Sequence, residues 1–227
     1  KKTIKTTLEK SNNHKLSIQF TLDGFSFCIT NLDSKKTIHF CEYTFPKTLE
    51  TPENLVARIE TIFQEDSHLQ EDFKEILVIH QNSLSTLVPN TLFLEEHLKE
   101  YLDFNIKTLE TDFFAYDSID QLAAKNVYVP FVNVNNYLFQ NFGEFEYQHS
   151  VTAFIKKLLQ TTTNSEKTMF VDVWENQISV VVLENKKVLF SNSFTFTSKE
   201  DFIYYLLFTA EQLGLNTNEF PLFFTGD

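Results

Sequence analysis

The side chains that could bind a metal ion are spread along the chain without a local motif. Six histidines lack the i to i+4 and His-x-His spacings that bring two imidazoles to one metal ion. They are His14, His39, His68, His80, His97 and His149. A metal site would need tertiary convergence, so we predict no metal ligands and expect solvated or structural histidines.

Candidate nucleophiles and acid–base pairs also lack a supporting pattern. Ser83 and Ser85 follow an apolar segment but lack the Gly-x-Ser-x-Gly elbow of a hydrolase. Paired carboxylates occur at predicted helix starts or on polar faces, where they favour the helix dipole. They are Glu71-Asp72, Glu95-Glu96 and Glu200-Asp201. We therefore predict no catalytic residues.

The composition excludes several classes of protein. Hydrophobic residues make up 42% and charged residues 22% of 227 positions, which is typical of a folded chain. No stretch approaches the roughly 20 apolar residues that span a bilayer. A net charge of -12 and a single arginine, Arg58, argue against a nucleic-acid partner. Four glycines leave no place for a glycine-rich phosphate loop.

Compartment and aromatic content follow from the same composition. The N-terminal segment is basic but lacks the apolar core of a signal peptide, and two cysteines are too few for a disulfide framework. We therefore expect a cytoplasmic protein. The 25 phenylalanines are explained by core filling, with an exposed aromatic surface for a partner as the alternative.

The strongest pattern is an internal repeat. Residues 15–45 and 166–196 align without a gap, so that the Lys-Lys pairs at 35–36 and 186–187 coincide together with the apolar positions. Both segments alternate apolar and polar residues around a polar turn. Each is predicted to form a three-stranded antiparallel meander.

The segments that follow the two meanders also match. Thr51-Pro52 and a capping box at 198–201 begin two predicted helices. Each helix leads to an apolar strand, at 75–81 and at 221–227. The chain therefore contains the unit β-β-β-α-β twice, which predicts an α/β fold of two related lobes.

The predicted domain organisation places the remaining residues around this duplication. Residues 1–14 form an N-terminal arm or an early strand. Lobe 1 covers residues 15–162 and includes a small α/β subdomain inserted at about 106–149, and lobe 2 covers residues 163–227. The Thr-rich link at 161–164 is the predicted lobe boundary.

Duplicated β-β-β-α-β units with an α/β insertion resemble the actin-like ATPase superfamily, which implies ribonuclease H-like lobes. The short insertion is most similar to that of the bacterial branch that contains FtsA, PilM and GspL. The opening LSIQFTLDGFSFCI at 16–29 and the insertion at 126–150 also resemble a Bacteroidetes family, a domain of unknown function. The resemblance covers about residues 16–227.

The resemblance implies two Asp-x-Gly turns that hold magnesium and the phosphates of ATP. In the first copy the aspartate position falls on Thr21 and the glycine position on Asp23, with Gly24 one place late. In the second copy the aspartate position is Asp172, but Trp174 replaces the glycine. A tryptophan followed by a carboxylate would clash with the phosphates and repel them.

The third implied element is the adenosine turn, for which Thr225-Gly226 remains of a Thr-Gly-Gly sequence. Related proteins continue from this turn into a helix. If a nucleotide binds, the resemblance assigns it six contact residues. They are Thr21, Asp23, Gly24, Asp172, Thr225 and Gly226.

Two functions therefore stay open. We favour a non-catalytic actin-like protein that acts as an interaction module or scaffold, with no cofactor and with a protein partner, which could be a second copy of the chain. The alternative is a nucleotide-binding ATPase or small-molecule kinase with atypical phosphate turns, which would need ATP and Mg²⁺. Asp172 and Gly226 support the alternative.

The repeat also predicts the surroundings of the two cysteines. If residues 185–186 form a two-residue turn, the gapless match makes Asp33 face Lys36 in the first hairpin. Counting back along that hairpin places Cys28 opposite Cys41, within reach of a disulfide. In a reducing cytoplasm we expect both to remain thiols.

Overall fold

The computed structural model describes residues 2–5, 13–45, 51–163 and 165–226. Within these residues the strands are β1 (Lys2–Lys5), β2 (His14–Phe20), β3 (Gly24–Asn31), β4 (Lys36–Thr44), β5 (Glu75–His80), β6 (Ser85–Pro89), β7 (Ala115–Ile119), β8 (Ala124–Tyr128), β9 (Glu146–His149), β10 (Thr168–Trp174), β11 (Gln177–Glu184), β12 (Lys187–Thr195) and β13 (Leu222–Gly226). The α-helices are α1 (Pro52–Glu65), α2 (Leu98–Asp103), α3 (Val132–Phe142), α4 (Ser150–Thr161) and α5 (Lys199–Gln212). Short 3-10 helices are formed by Ser67–Gln70, Glu95–His97 and Asp120–Leu122.

Contacts within the chain divide it into two compact units. The first unit comprises Lys1–Gln81 and Pro130–Gln148. The second unit comprises Asn82–Val129 and His149–Asp227. Over the described residues, none of the helices is both long enough and apolar enough to cross a membrane.

The first unit is built on a six-stranded sheet with the order β1-β4-β3-β2-β5-β9. β2, β3 and β4 form an antiparallel meander, and β5 returns parallel to β2. Every second residue of β2 and β3 is buried, and α1 covers that face with Leu55, Ile59 and Ile62. β1 pairs with β4 at the sheet edge, so residues 2–5 form the early strand; residues 6–12 lie outside the described residues.

The second unit contains a four-stranded sheet with the order β12-β11-β10-β13, in which β13 is parallel to β10. Helices cover both of its faces. Phe170 and Val181 share a buried cluster with α4, and Met169 and Val180 share another with α5. Because strands covered on both faces need no alternation, all six residues at 178–183 in β11 are buried. A smaller antiparallel sheet has the order β6-β8-β7.

The predicted duplication is confirmed by the strand order, which is β4-β3-β2-β5 in the first unit and β12-β11-β10-β13 in the second. A 14-residue helix follows each meander, α1 in the first unit and α5 in the second. The predicted caps are present: Thr51 accepts a hydrogen bond from the backbone N–H of Asn54, and Ser198 accepts one from that of Asp201.

The predicted lobe boundary at 161–164 differs from the boundaries of the two units. Residues 82–129 and α4, which the prediction assigned to lobe 1, belong to the second unit. The reason is packing, because Val151 and Ile155 of α4 share a buried cluster with Phe170 of β10.

The gapless alignment of the two copies is wrong by two residues over its first half. Gly24 of β3 corresponds to Gln177 of β11, 153 positions later, whereas Lys36 of β4 corresponds to Lys187 of β12, 151 positions later. The turn before β4 has four residues, and the turn before β12 has the two residues predicted, 185–186. A slip of two residues leaves every side chain on the same face of the sheet, so the apolar pattern could not reveal it.

The predicted pairing of Cys28 with Cys41 is also wrong. The longer turn pairs Asn31 with Lys36, and a β-bulge then pairs Cys28 with Phe40. Cys41 lies in the buried core beneath α1, whereas Cys28 is half-buried on the opposite face. Neither cysteine forms a disulfide bond among the described residues.

Candidate functional site

In the second unit, the aspartate of the predicted phosphate turn accepts hydrogen bonds from two side chains of its own sheet. Asp172 lies in β10, in register with Thr225 of β13. The hydroxyl of Thr225 donates to Oδ1 of Asp172 at 2.8 Å, and the indole Nε1 of Trp174 donates to Oδ2 at 2.7 Å. Both carboxylate oxygens are therefore engaged by neighbouring side chains.

Gly226 allows two strands to approach closely. Its φ angle is +97°, and a Cβ atom built on it would lie 2.0 Å from the carbonyl oxygen of Val173. Any other residue would be strained in this conformation and would clash with β10. The packing of β13 on β10 therefore explains the glycine of the predicted adenosine turn.

A magnesium–nucleotide site needs carboxylate oxygens that can hold hydrated metal and a backbone that phosphates can approach. Here the oxygens of Asp172 are held by Trp174 and Thr225. The indole also lies beside the carboxylate, at the position where the superfamily resemblance implied a glycine. The residues of this turn do not fit a magnesium-bound triphosphate in this conformation.

The corresponding turn of the first unit is a tight hairpin between β2 and β3. The backbone N–H of Thr21 donates to the carbonyl of Gly24, and the Thr21 hydroxyl accepts the N–H of Asp23, both at 2.9 Å. A Cβ atom on Gly24 would lie 3.0 Å from the carbonyl oxygen of Tyr43. Thr21, Asp23 and Gly24 therefore all stabilise the turn itself.

The corrected register also changes which residues of the two copies are equivalent. Gln19 pairs with Ser26 in the first hairpin as Asp172 pairs with Ser179 in the second. The position of Asp172 is therefore occupied by an amide in the first copy. Thr21, which the gapless match placed on Asp172, corresponds instead to Trp174.

At the end of the first sheet, His80 occupies the position that Gly226 has in the second. His80 pairs with Phe20, as Gly226 pairs with Val173. The His80 ring is fully buried and packs edge-on against Phe20, with centroids 5.0 Å apart. Its Nδ1 accepts the backbone N–H of Phe131 at 3.0 Å. Burial lowers the pKa of His80 to about 3, so the ring is neutral at pH 7.

Tertiary convergence, which sequence spacing could not reveal, joins two of the six histidines. His39 of β4 and His68 of the 3-10 helix after α1 stack with ring centroids 4.0 Å apart. Asp66 lies beside them, and the donor atoms of the three residues lie within 4.8 Å of one another. The sequence could not reveal this group, because the three residues meet only when α1 packs on the meander.

The segment at 92–113, between β6 and β7, combines exposed apolar residues with acidic ones. Its exposed large apolar side chains are Leu92, Leu94, Phe104, Leu109 and Phe113. It contains six carboxylates and two lysines. Phe93, Leu98 and Ile106 pack inward against the small sheet. Contiguous exposed apolar side chains are a common feature of interaction surfaces.

Other exposed apolar side chains lie on α5 and β13, including Tyr204, Phe208 and Phe223. The abundance of phenylalanine is therefore only partly explained by core filling. The acidic pattern of the segment at 92–113 is weaker on α5, and nothing among the described residues shows what covers this second surface.

Solved structures with the same architecture include a Bacteroides thetaiotaomicron protein with an actin-like ATPase fold and unknown function. It is 25% identical, with a TM-score of 0.86 over 96% of this chain and 84% of that chain. The cytoplasmic domain of EpsL, an inner-membrane component of the Vibrio cholerae type II secretion system, has a TM-score of 0.52 and 14% identity over 94% and 82% of the two chains. A PilM–PilN type IV pilus biogenesis complex has a TM-score of 0.55 and 13% identity, over 91% of this chain and 67% of that chain. These similarities confirm the predicted actin-like ATPase fold.

Sequence comparison gives one family. A family model described as a protein of unknown function, DUF3822, matches residues 3–227. No curated protein matches the sequence significantly. The predicted resemblance to a family of unknown function with an actin-like fold is thereby confirmed.

Proposed function

This chain belongs to the DUF3822 family of proteins of unknown function, and we propose that it is a non-catalytic actin-like protein that acts as a protein-interaction module. The segment at 92–113 carries this proposal. It exposes five large apolar side chains among six carboxylates, and Phe104 is 88% exposed. Burying such side chains against a partner is the main source of binding energy at protein interfaces.

Charge indicates the kind of partner. With six carboxylates and two lysines, the segment at 92–113 has a formal charge of about -4. A partner surface with basic residues around an apolar patch is complementary to it, because opposite potentials attract and fix the orientation of the complex. A second copy of the chain would bring an identical acidic segment to the interface, so we favour a different protein.

Hydrogen bonds pre-form part of this surface. The Tyr101 hydroxyl donates to the carbonyl of Leu92 at 2.5 Å and accepts the N–H of Leu94 at 2.9 Å. Lys99 contacts Asp103 across one turn of α2 at 2.6 Å. A surface held in place before binding loses less conformational entropy when it binds.

Structures of the same fold are consistent with a role in assemblies. EpsL is a component of a secretion system, and PilM was solved in a complex with PilN. At 13–14% identity these proteins share the fold with this chain, and their partners are their own. Cys28 and Cys41 form no disulfide bond among the described residues, which supports a cytoplasmic location within this proposal.

The non-catalytic part of the proposal rests on Asp172. The ATPase alternative requires its carboxylate to exchange the hydrogen bonds from Trp174 and Thr225 for magnesium-bound water. The exchange would cost two charge-assisted hydrogen bonds.

Site-specific photo-crosslinking in the producing cell tests the interaction surface. A photoreactive phenylalanine analogue replaces Phe104, and in a control chain it replaces Ser34, an exposed residue of the first unit. We expect one main adduct at position 104 and none at position 34. Mass spectrometry of the adduct should identify a partner peptide rich in lysine or arginine.

Charge reversal provides the matched control. Glu95→Lys together with Glu96→Lys should reduce the adduct at position 104 about tenfold, whereas Asp72→Lys in the first unit should leave it unchanged. Equal labelling at positions 104 and 34, or an acidic crosslinked peptide, would contradict the proposal.

A further inference from the structure

The group formed by His39, Asp66 and His68 lies where the meander of the first unit meets the end of α1. His39 is on the face of β4 that α1 covers. Asp66 is the C-cap residue of α1 and also the N-cap residue of the 3-10 helix that contains His68. The site is therefore built by the β-β-β-α topology, with ligand candidates from a strand and from a helix end.

We propose that His39, Asp66 and His68 bind a divalent transition-metal ion, for which Zn²⁺ is the probe. Two imidazoles and one carboxylate are a ligand set that zinc uses in proteins, with a solvent molecule as the fourth ligand. The three donor atoms lie within 4.8 Å of one another. Tetrahedral donors on bonds of about 2.1 Å lie about 3.4 Å apart. The rings of His39 and His68 are stacked within 6° of parallel, so one of them must turn about its Cβ–Cγ bond before both ring nitrogens can bind one ion.

Burial and neighbours favour a bound cation here. His39 and Asp66 are 1% and 5% exposed, and the side chain of His68 is 16% exposed, which leaves a path for the ion and for water. The phenyl ring of Phe27 lies 5.4 Å from the His39 ring. An apolar wall beside the ligands strengthens the attraction between the carboxylate and the ion.

Tyr43 orients the carboxylate. Its hydroxyl donates to Oδ2 of Asp66 at 2.7 Å, so Oδ1 is the oxygen that faces His68, at 3.0 Å from its Nδ1. Metal ligands are commonly held in this way by an outer hydrogen bond. When the ion binds at Nδ1, it replaces the proton between these two atoms, and that proton is released to solvent.

The end of α1 adds a favourable field. The C-terminus of a helix carries a partial negative charge, and a nearby cation is stabilised by it. The last turn of α1 contains no basic residue, so none of the side chains of that turn neutralises the charge. A metal ion at Asp66 would do so.

Equilibrium binding of Zn²⁺ to the chelator-treated chain tests the proposal. We expect one zinc per chain after gel filtration, with the affinity measured by competition against a chromophoric chelator. His68→Ala and Asp66→Asn should each weaken binding by about 100-fold or more, and Tyr43→Phe by about tenfold. His97→Ala removes a half-buried histidine of the second unit and should leave zinc binding unchanged.

Co²⁺ substitution identifies the ligands independently. We expect visible bands of a tetrahedral nitrogen–oxygen site and no thiolate charge-transfer band, which distinguishes this site from one that uses Cys41. His39→Ala removes a buried ring and so tests folding as well as binding. Circular dichroism of each metal-free variant therefore accompanies the titration, and His68→Ala decides the result. Zinc binding that is absent, or unchanged in His68→Ala, would overturn the proposal.

Discussion

The two β-β-β-α-β copies share a strand order but differ in how many faces of the sheet they bury. In the first copy, every second residue of β3 is buried and the intervening residues are only half-buried. In the second copy, six consecutive residues of β11 are buried, because α4 and α5 cover opposite faces. One architecture therefore supports two different sequence patterns, and the pattern reports the number of covering helices.

The difference extends to the ends of the sheets. In the first copy, the aromatic and imidazole rings of Phe20 and His80 fill the end of the sheet. In the second copy, the same register positions are Val173 and Gly226, beside the hydrogen-bonded group of Asp172 and Trp174. Neither end retains the free carboxylate and glycine turn that the superfamily resemblance implied.

The largest effect is expected at a pair of equivalent positions, Val181 and Cys28. Val181 is fully buried, whereas Cys28 is half-buried on the face opposite α1. Val181→Ser should lower the free energy of unfolding by about 3 kcal/mol, through lost apolar burial and a buried hydroxyl. Cys28→Ser should cost less than about 1 kcal/mol. Urea denaturation of both variants measures the difference. Equal decreases in the free energy of unfolding would contradict the description of the first sheet as covered by a helix on one face and the second as covered on both.

The next effect concerns His80 and pH. In the unfolded chain its pKa is near 6.5, whereas burial lowers it to about 3 in the folded chain. Between these values only the unfolded state binds the proton, so this contribution to stability is complete above pH 6.5 and is lost as the pH falls. The loss should reach about 2 kcal/mol at pH 5.

His80→Asn provides the control, since an amide oxygen can still accept the N–H of Phe131 without titrating. Stability measured by urea denaturation between pH 7 and pH 5 should fall less in this variant than in the parent chain. Parallel pH dependence in the two proteins would show that His80 is not the group responsible.

A smaller effect separates two glycines. Gly226→Ala places a Cβ atom 2.0 Å from the carbonyl oxygen of Val173 at a positive φ angle, and should loosen β13 by about 1–2 kcal/mol. Gly24→Ala places a Cβ atom 3.0 Å from the carbonyl oxygen of Tyr43, at a φ angle that alanine can adopt. It should lower the stability about half as much. Hydrogen exchange of the β13 amides measures the effect of Gly226→Ala. Faster exchange in Gly24→Ala, with no change in Gly226→Ala, would contradict the expected order of the two effects.

Much of the fold could be predicted from the sequence because its signals are local and periodic. An apolar-rich meander, one helix N-cap and an apolar final strand define each β-β-β-α-β copy. The two-residue slip could not be detected, since side chains recur on the same face with that period. The cysteine prediction failed for the same reason: it depended on the length of one polar turn, and turns carry no apolar pattern that fixes their length.

The unit boundaries and the candidate sites depend on tertiary packing. The sequence of α4 shows that Val151 and Ile155 are on its apolar face, but not that this face packs on the second sheet. His39 and Asp66 are 27 positions apart, and only docking α1 on the meander joins them. The resemblance did identify Asp172 as the residue to examine, but its partners Trp174 and Thr225 emerge from side-chain geometry.

Fluorescence of Trp174, the only tryptophan in the chain, tests most directly whether the actin-like fold here lacks nucleotide chemistry. Its indole bonds Asp172 at 2.7 Å, so a nucleotide that recruits this carboxylate must change the environment of the indole. We predict no saturable change on titration with Mg-ATP or Mg-ADP, while Asp172→Ala alone shifts the emission because the indole loses its acceptor. A saturable change at micromolar ATP that Asp172→Ala abolishes would contradict the account.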